Sequence, residues 1–373
     1  MQLALKLANH RGRWTAALVG AVLAGATLAP GMVAAGSPAF LTKFSTQTQV
    51  ASTVPLNGDI NPYGMAVVQR STGALVKGDV LISNFNAASN LQGTGTTIDQ
   101  IAPDGTFHLF ATVMSSAVMN TCPGGVGLTT ALVELRDGWV VVGSLPTVDG
   151  SAATASAGCL IVLDRWGNVA ETIKGSLING PWDMIAADHG DSAQLFVSNV
   201  LNGTVAAAGK VVNGGTVVRI DLSIPDGHMP TVKSERVIGW GFPERTDPAA
   251  MVVGPTGLAL SHETLYVADT VDNRIAAISD ATDRWSASHK GKTVSENGSL
   301  NQPLGLAMAP NGDILTVNAA DGNGVEITRS GHQVATVLLD SAGGGSLFGL
   351  VVAPEGKGLY YVADDSNTLQ LLH

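Results

Sequence analysis

The sequence predicts an all-β fold: a six-bladed β-propeller of four-stranded antiparallel blades, its ring closed by pairing of the N- and C-terminal strands. Three observations carry that prediction. A phrase of the form apolar–Gly–apolar–Ala/Val–apolar, then a short turn, then Val beside an aromatic or aliphatic residue and a final Asn or Asp, recurs six times in 373 residues. Glycine reaches 45 residues without a collagen-like period, and only 13% of residues are charged against 45% apolar, which fits a strand-rich body with many tight turns. Each phrase is followed by β-branched runs bounded by Pro, Asp, Asn and Gly, as hairpins require. No such unit can bury its own apolar face, so six must stack on a common core.

In chain order, Lys6, Arg11 and Arg13 precede an apolar stretch, Ala16–Ala29, and small residues at Val33-Ala34-Ala35. This reads as a signal peptide over residues 1–35, cut after Ala35. Its apolar part is shorter than the roughly 20 residues a spanning helix needs. Residues 36–373 are then one exported propeller domain, periplasmic or secreted, with no membrane span after cleavage. Phe40–Val50 alternates like a strand (Phe44, Thr46, Thr48, Val50) but belongs to no copy.

The copies begin at Pro62-Tyr63-Gly64, Leu128-Thr129-Thr130, Pro181-Trp182-Asp183, Pro255-Thr256-Gly257, Pro303-Leu304-Gly305 and Leu347-Phe348-Gly349. Third and fourth strands are read at Thr97–Ile101 and Thr106–Thr112, at Gly158–Asp164 and Val169–Ile173, and at Thr216–Asp221 and near Lys233–Ile238. The fifth copy offers Gly324–Thr328 and Gln333–Leu338, and four antiparallel strands make one blade. The sixth copy stops after its third strand, Leu369–Leu372. Phe40–Val50 is the strand it lacks, and pairing the two removes both open edges.

The formal net charge is −10, and more negative once residues 1–35, which carry only positive charges, are removed. Nucleic acid and anionic membranes are thereby disfavoured as partners, because phosphate binding needs a basic surface. The remaining partner classes are a small molecule, a glycan or an envelope protein, with the chain itself a monomer. Cys122 and Cys159 lie before and within the second copy, and an oxidising compartment allows them to pair. No His or Cys stands at metal-ligand spacing near them.

Thr256-Gly257-Leu258-Ala259-Leu260, followed by Leu265-Tyr266-Val267-Ala268-Asp269-Thr270-Val271-Asp272-Asn273-Arg274-Ile275, resembles an NHL repeat. Residues 303–318 and 347–367 resemble it more loosely. The resemblance covers the C-terminal half well and the N-terminal half weakly. It implies a six-bladed propeller, in a superfamily that includes gluconolactonase and senescence-marker-like lactonases.

Propeller topology puts the connections into each first strand, and those between second and third strands, on one face. The long segments 85–96, 113–126, 145–157, 200–215 and 239–254 are of that kind, and loops on a rigid scaffold carry function. The pore mouth toward blades 1–3 is therefore the expected binding face. Two rings should line it. Tyr63, Thr129, Trp182, Thr256, Leu304 and Phe348 precede the phrase's Gly, and Asn84, Ser144, Asn199, Asp269, Asn318 and Asp364 end the second strands. An apolar wall with a few polar groups suits a small ligand. Alternatively, the Asn/Asp ring simply bonds the backbone of the next turn.

Tyr63, Phe85, Trp182, Trp240, Phe242 and Phe348 are the candidate ligand contacts, since aromatics stack on sugars or anchor partners. The lactonases that the repeat resembles hold a divalent metal with a Glu, an Asn and an Asp, and two of these ligands precede the repeat Gly. Here that ring has neither carboxylate nor amide, and Asp183 falls one position late, in place of a Gly. The remaining metal set is Asp183, Asp269 and Asp364 with Asn84, Asn199 or Asn318, an all-oxygen set suited to calcium. Asp183 is also the candidate proton-transfer group. No histidine maps to the mouth, and no nucleophile elbow, phosphate loop or dinucleotide fingerprint is present. The leading functional expectation is a non-catalytic binding scaffold. The alternatives are a metal-dependent hydrolase or lactonase and a structural envelope protein.

Overall fold

The computed structural model describes residues 38–226, 228–248 and 250–373. The leader expected over residues 1–35 lies outside them. Six small antiparallel sheets form a ring, each contributing one blade. Blade 1 comprises Ile60–Val67, Val80–Asn86, Thr97–Ile101 and Phe107–Thr112. Blade 2 comprises Leu128–Leu135, Trp139–Ser144, Cys159–Leu163 and Val169–Ile173. Blade 3 has five strands, Pro181–Asp188, Ser192–Asn199, Val212–Ser223, Thr231–Asp247 and Met251–Val253. Blade 4 is built from Pro255–Ser261, Thr264–Asp269, Arg274–Ile278 and Lys292–Glu296, and blade 5 from Pro303–Met308, Ile314–Asn318, Asn323–Ile327 and Gln333–Leu338. Blade 6 combines Leu347–Val352, Leu359–Ala363 and Thr368–Leu372 with the N-terminal strand Gln47–Ser52.

The ring closes as the sequence predicts. Gln47 pairs with Leu372 and Ser52 with Thr368, so the N-terminal strand supplies blade 6's missing outer strand. The strand starts later than the alternation suggested, because Leu41–Lys43 form a 3₁₀ turn. That turn is held by the buried carboxylate of Glu326, which accepts from the Phe40 and Leu41 amides at 2.7 and 2.8 Å. The first strand of every blade packs on the first strand of the next, and the sixth on the first.

Period-two alternation explains the packing. In blade 2, Val140 and Val142 join Leu81 and Ile98 of blade 1, while Val141 between them joins Leu195 and Val218 of blade 3. Both faces of each sheet are therefore apolar, and each inter-blade seam is a core of its own. Phe196 with Leu265, Tyr266 with Ile314, and Leu315 with Tyr361 repeat the pattern around the ring.

Blade 3 departs from the expected plan. Segment 239–254, read as a loop, is largely strand. Residues 231–247 form one continuous strand that pairs with Val212–Ser223 and then turns back into Met251–Val253 through Arg245↔Val253 and Asp247↔Met251. Segment 200–215 holds one helical turn, Thr204–Ala207, and the start of that extended third strand.

Cys122 and Cys159 are joined in a disulfide spanning 37 positions, with Cα atoms 5.3 Å apart. It ties the connection entering blade 2 to the third strand of the same blade. Closing a loop of that length restricts the unfolded chain, so replacing both cysteines by alanine is expected to lower stability by about 3 kcal/mol. Denaturant unfolding checks this; a loss below about 1 kcal/mol would mean the bond is structurally idle.

Candidate functional site

The two ends of the ring axis differ. At the end where chains enter the first strands, the expected mouth is filled. Tyr63 is stacked between Phe85 and Phe348, with ring centroids at 4.6 and 3.9 Å. The Trp182 indole donates from Nε1 to the Val252 carbonyl at 3.1 Å. Ala250–Val253, the turn and last strand of blade 3, are buried among these rings together with Leu145, Val200 and Leu304. The space left beside Tyr63, Phe85 and Trp182 is about 10 Å³, room for no more than a water.

The aromatic candidates are thus packing groups. Tyr63, Phe85, Trp182 and Phe348 belong to the central core, and Phe242 to the seam between blades 3 and 4. The physical reason is the blade 3 insertion: an apolar run, Met251-Val252-Val253, seeks the apolar mouth, and hairpin pairing with Arg245–Asp247 delivers it there. Trp240 alone stays 45% exposed, and its ring lies 4.0 Å from that of His289 on the outer side of blade 3.

The polar ring is likewise used locally. Asn199 accepts from the Asn179 amide at 2.8 Å. Asn318 accepts from the Asn301 amide at 3.1 Å and donates to the Ser299 carbonyl at 2.8 Å. Asp269 forms a buried ion pair with Arg274 at 2.8 Å. Asp364 accepts from Asn61 at 3.4 Å, and burial pushes its carboxyl up to about 7. Asn84 donates to Asp99 at 2.7 Å. Asn199 and Asn318 bond the connection entering their own blade, Asp269 the next strand, Asn84 the third strand of blade 1 and Asp364 the first strand of blade 1, so the proposed set Asp183, Asp269, Asp364, Asn84, Asn199 and Asn318 is not brought together as one cage. Among the described residues no group of three or more His, Cys, Asp or Glu side chains could hold a metal. The lactonase-type pore metal does not fit the groups this chain presents there.

The other end of the axis is open. A channel of about 350 Å³ runs inward from the face carrying the tight turns between first and second strands. All six first strands line it. Val67, Glu134, Leu260, Met308 and Val352, near the ends of those strands, mark the entrance; Met65, Leu132, Met184, Leu258, Leu306 and Leu350 make the wall. Most of the lining side chains are apolar, but polar atoms make up nearly half of the exposed wall.

Two of its polar side chains stand at one repeat position. Four copies carry Gly there (Gly64, Gly257, Gly305, Gly349), whereas the adjacent blades 2 and 3 carry Thr130 and Asp183. Asp183 is partly exposed to the channel, and its Oδ2 accepts from the Leu258 amide of blade 4 at 2.8 Å. Protein mass on all sides pushes its carboxyl up to about 7, against the pull of the Leu258 and Met184 amides. The Thr130 hydroxyl is buried and has no hydrogen-bond partner. At the entrance Glu134 accepts from the Gln69 amide at 3.1 Å, and burial raises its carboxyl as well.

Of the sequence candidates only Asp183 lines an open cavity. The clue was its standing where a repeat Gly is expected, and the same clue was available for Thr130. The face was misassigned because the filling of the mouth depends on a long-range hairpin.

No family profile matches the chain, and no curated protein matches it. Solved structures do. A gluconolactonase from Xanthomonas campestris superposes with a TM-score of 0.52 at 14% identity, over 87% of this chain and 88% of that one. The calcium-binding protein regucalcin from Agrobacterium tumefaciens gives 0.53 at 10% identity, over 88% and 93%. A PQQ-bound aldose sugar dehydrogenase from Streptomyces coelicolor gives 0.51 at 14%, over 88% and 98%. The likeness is one of fold. The chain is a six-bladed β-propeller, and its fold is that of the gluconolactonase-like and NHL-like propellers.

Proposed function

We propose that the protein is an acid–base enzyme acting on a small molecule in the central channel, with hydrolysis of a lactone or ester as the reaction and Asp183 as the proton-transfer group. The observation that carries this is a partly exposed carboxyl facing a 350 Å³ channel, which burial pushes up to about 7. A general base works best when its pKa lies near the operating pH. Ionised Asp183 would take a proton from water as that water adds to the carbonyl. The proton then passes to the leaving alkoxide, giving a hydroxy acid from a lactone. The gluconolactonase activity of the Xanthomonas neighbour supports the reaction class by analogy of fold only. Export is part of the proposal, supported by the leader pattern of residues 1–35 and by the disulfide.

A panel of lactones and esters tests it. The expected result is turnover that rises with pH about a midpoint near 7, with a fall of about 100-fold or more in kcat for Asp183→Asn while the variant stays folded. Full turnover in Asp183→Asn would remove Asp183 from the mechanism. A second reading, non-catalytic capture of a small ligand, is supported by the apolar side chains that make up most of the lining. It would be upheld by tight binding of a panel member without turnover.

A further inference from the structure

We propose that Thr53, Asp59, Asn84 and Asp99 form a binding site for one calcium ion, which fastens the ring-closing segment to blade 1. This cluster is separate from the channel and is not used in the reaction above. Asp99, Asn84 and Thr53 are wholly buried, and Asp59 is 3% exposed. Asn84 Nδ2 donates to Asp99 Oδ2 at 2.7 Å, and to the Thr53 carbonyl and Thr97 Oγ1 at 3.2 Å each. Thr97 Oγ1 donates onward to Asp59 Oδ2 at 3.0 Å, which also accepts from the Thr96 amide and hydroxyl at 2.8 and 2.9 Å.

The site is incomplete in one respect. Three buried oxygens on these same side chains, Asp99 Oδ1, Asn84 Oδ1 and Thr53 Oγ1, have no hydrogen-bond partner among the described residues. Neither Asp59 nor Asp99 forms an ion pair among them. Buried oxygens left open are costly, and residues already linked by hydrogen bonds that still leave three of them open suit a cation. The donors are all hard oxygens, from two carboxylates, an amide and a hydroxyl. That suits calcium, which tolerates irregular oxygen shells; magnesium demands a stricter octahedron and keeps its water.

Position gives the ion its consequence. Thr53 follows the N-terminal strand of blade 6, and Asp59 precedes the first strand of blade 1. Asn84 and Asp99 stand on the second and third strands of blade 1. A cation here would join the segment that closes the ring to the blade it enters.

The test is calcium alone, titrated into the chelator-treated protein and read by calorimetry and by thermal melts. One equivalent should bind, and Tm should rise by about 5 °C when calcium is about 100-fold above Kd. Sodium and magnesium should give smaller shifts. Asp99→Asn and Asp59→Asn should each lose the response, and Asp183→Asn should keep it, separating this site from the channel. Wild-type protein that binds no calcium and shows no shift would overturn the proposal, as would unchanged calcium affinity in either Asp59→Asn or Asp99→Asn. Should Asp99→Asn fail to fold, the wild-type titration and Asp59→Asn decide the matter.

Discussion

Alanine at Gly257 is expected to destabilise the ring by about 4 kcal/mol or more, one of the largest single-site effects in the molecule. The cause is distance between backbones. A Cβ at Gly257 would lie 2.1 Å from the Leu304 carbonyl oxygen, 2.6 Å from the Leu306 nitrogen and 2.7 Å from the Gly305 carbonyl carbon. All three belong to the first strand of the next blade, and none can rotate aside as a side chain could. The same approach recurs at Gly305 against the Phe348 carbonyl, at 2.3 Å, and at Gly349 against the Tyr63 carbonyl, at 2.2 Å, the contact that brings the sixth blade to the first. The repeat Gly thus sets the spacing of the innermost strands and so the width of the channel. Gly343→Ala is the control: open space surrounds that position and only its positive φ opposes a side chain, so the cost should be near 1 kcal/mol. Denaturant midpoints for the two variants make the comparison, and equal losses would mean that inter-blade approach does not limit the fold.

That glycine also explains why so much of the fold is legible in the sequence. The repeat Gly is needed where first strands approach most closely, at Gly257, Gly305 and Gly349, and the apolar frame of the phrase marks the other blades as well. The early end of the sixth copy and the spare alternation before Val50 then specify the closure, which the Gln47↔Leu372 register realises. Neither reading needs knowledge of a distant contact. The site is different in kind. Residues 239–254 contain Gly, Pro and charges and read as a loop, yet Arg245↔Val253 pairing makes them a hairpin whose apolar end enters the mouth. The run Met251-Val252-Val253 was the local sign that such a segment would seek burial. Without the pairing, nothing in the sequence says where it goes. Once the mouth is filled, the channel stays open only from the opposite face, where Asp183 and Thr130 take the place of two repeat glycines. The Asn/Asp ring, present in five of the six copies with Ser144 in the other, follows the structural logic of the repeat: a side-chain oxygen or amide at a strand end bonds a neighbouring connection or strand.

The protein is expected to be most stable in mildly acidic solution and to lose stability as pH rises through neutrality, the reverse of ordinary acid denaturation. Four carboxyls set the sign. Burial raises Asp99 to about 8 and Asp183, Glu244 and Asp364 each to about 7 in the folded chain. Among the described residues none has a cation to compensate: Asp99 has Asn84, Asp183 has two backbone amides, Asp364 has Asn61, and Glu244 is fully buried beside Thr204 and the Asn202 amide. A carboxyl whose folded pKa lies above its unfolded value near 4 binds more protons in the fold than out of it. Its contribution is fully present below about 4 and is lost as pH rises through about 7 to 8. A shift of three units corresponds to about 4 kcal/mol per group at full ionisation. The expected result is a denaturant midpoint higher at pH 5 than at pH 8.5. Asp183→Asn should reduce that difference without abolishing it, because three of the four carboxyls remain. A midpoint that rises with pH would mean that these side chains ionise freely in the fold. The near-neutral titration of Asp183, on which the proposed proton transfer depends, would then be wrong as well. Stability and catalysis are read from the same carboxyl here, so one pH series on wild-type and Asp183→Asn protein bears on both.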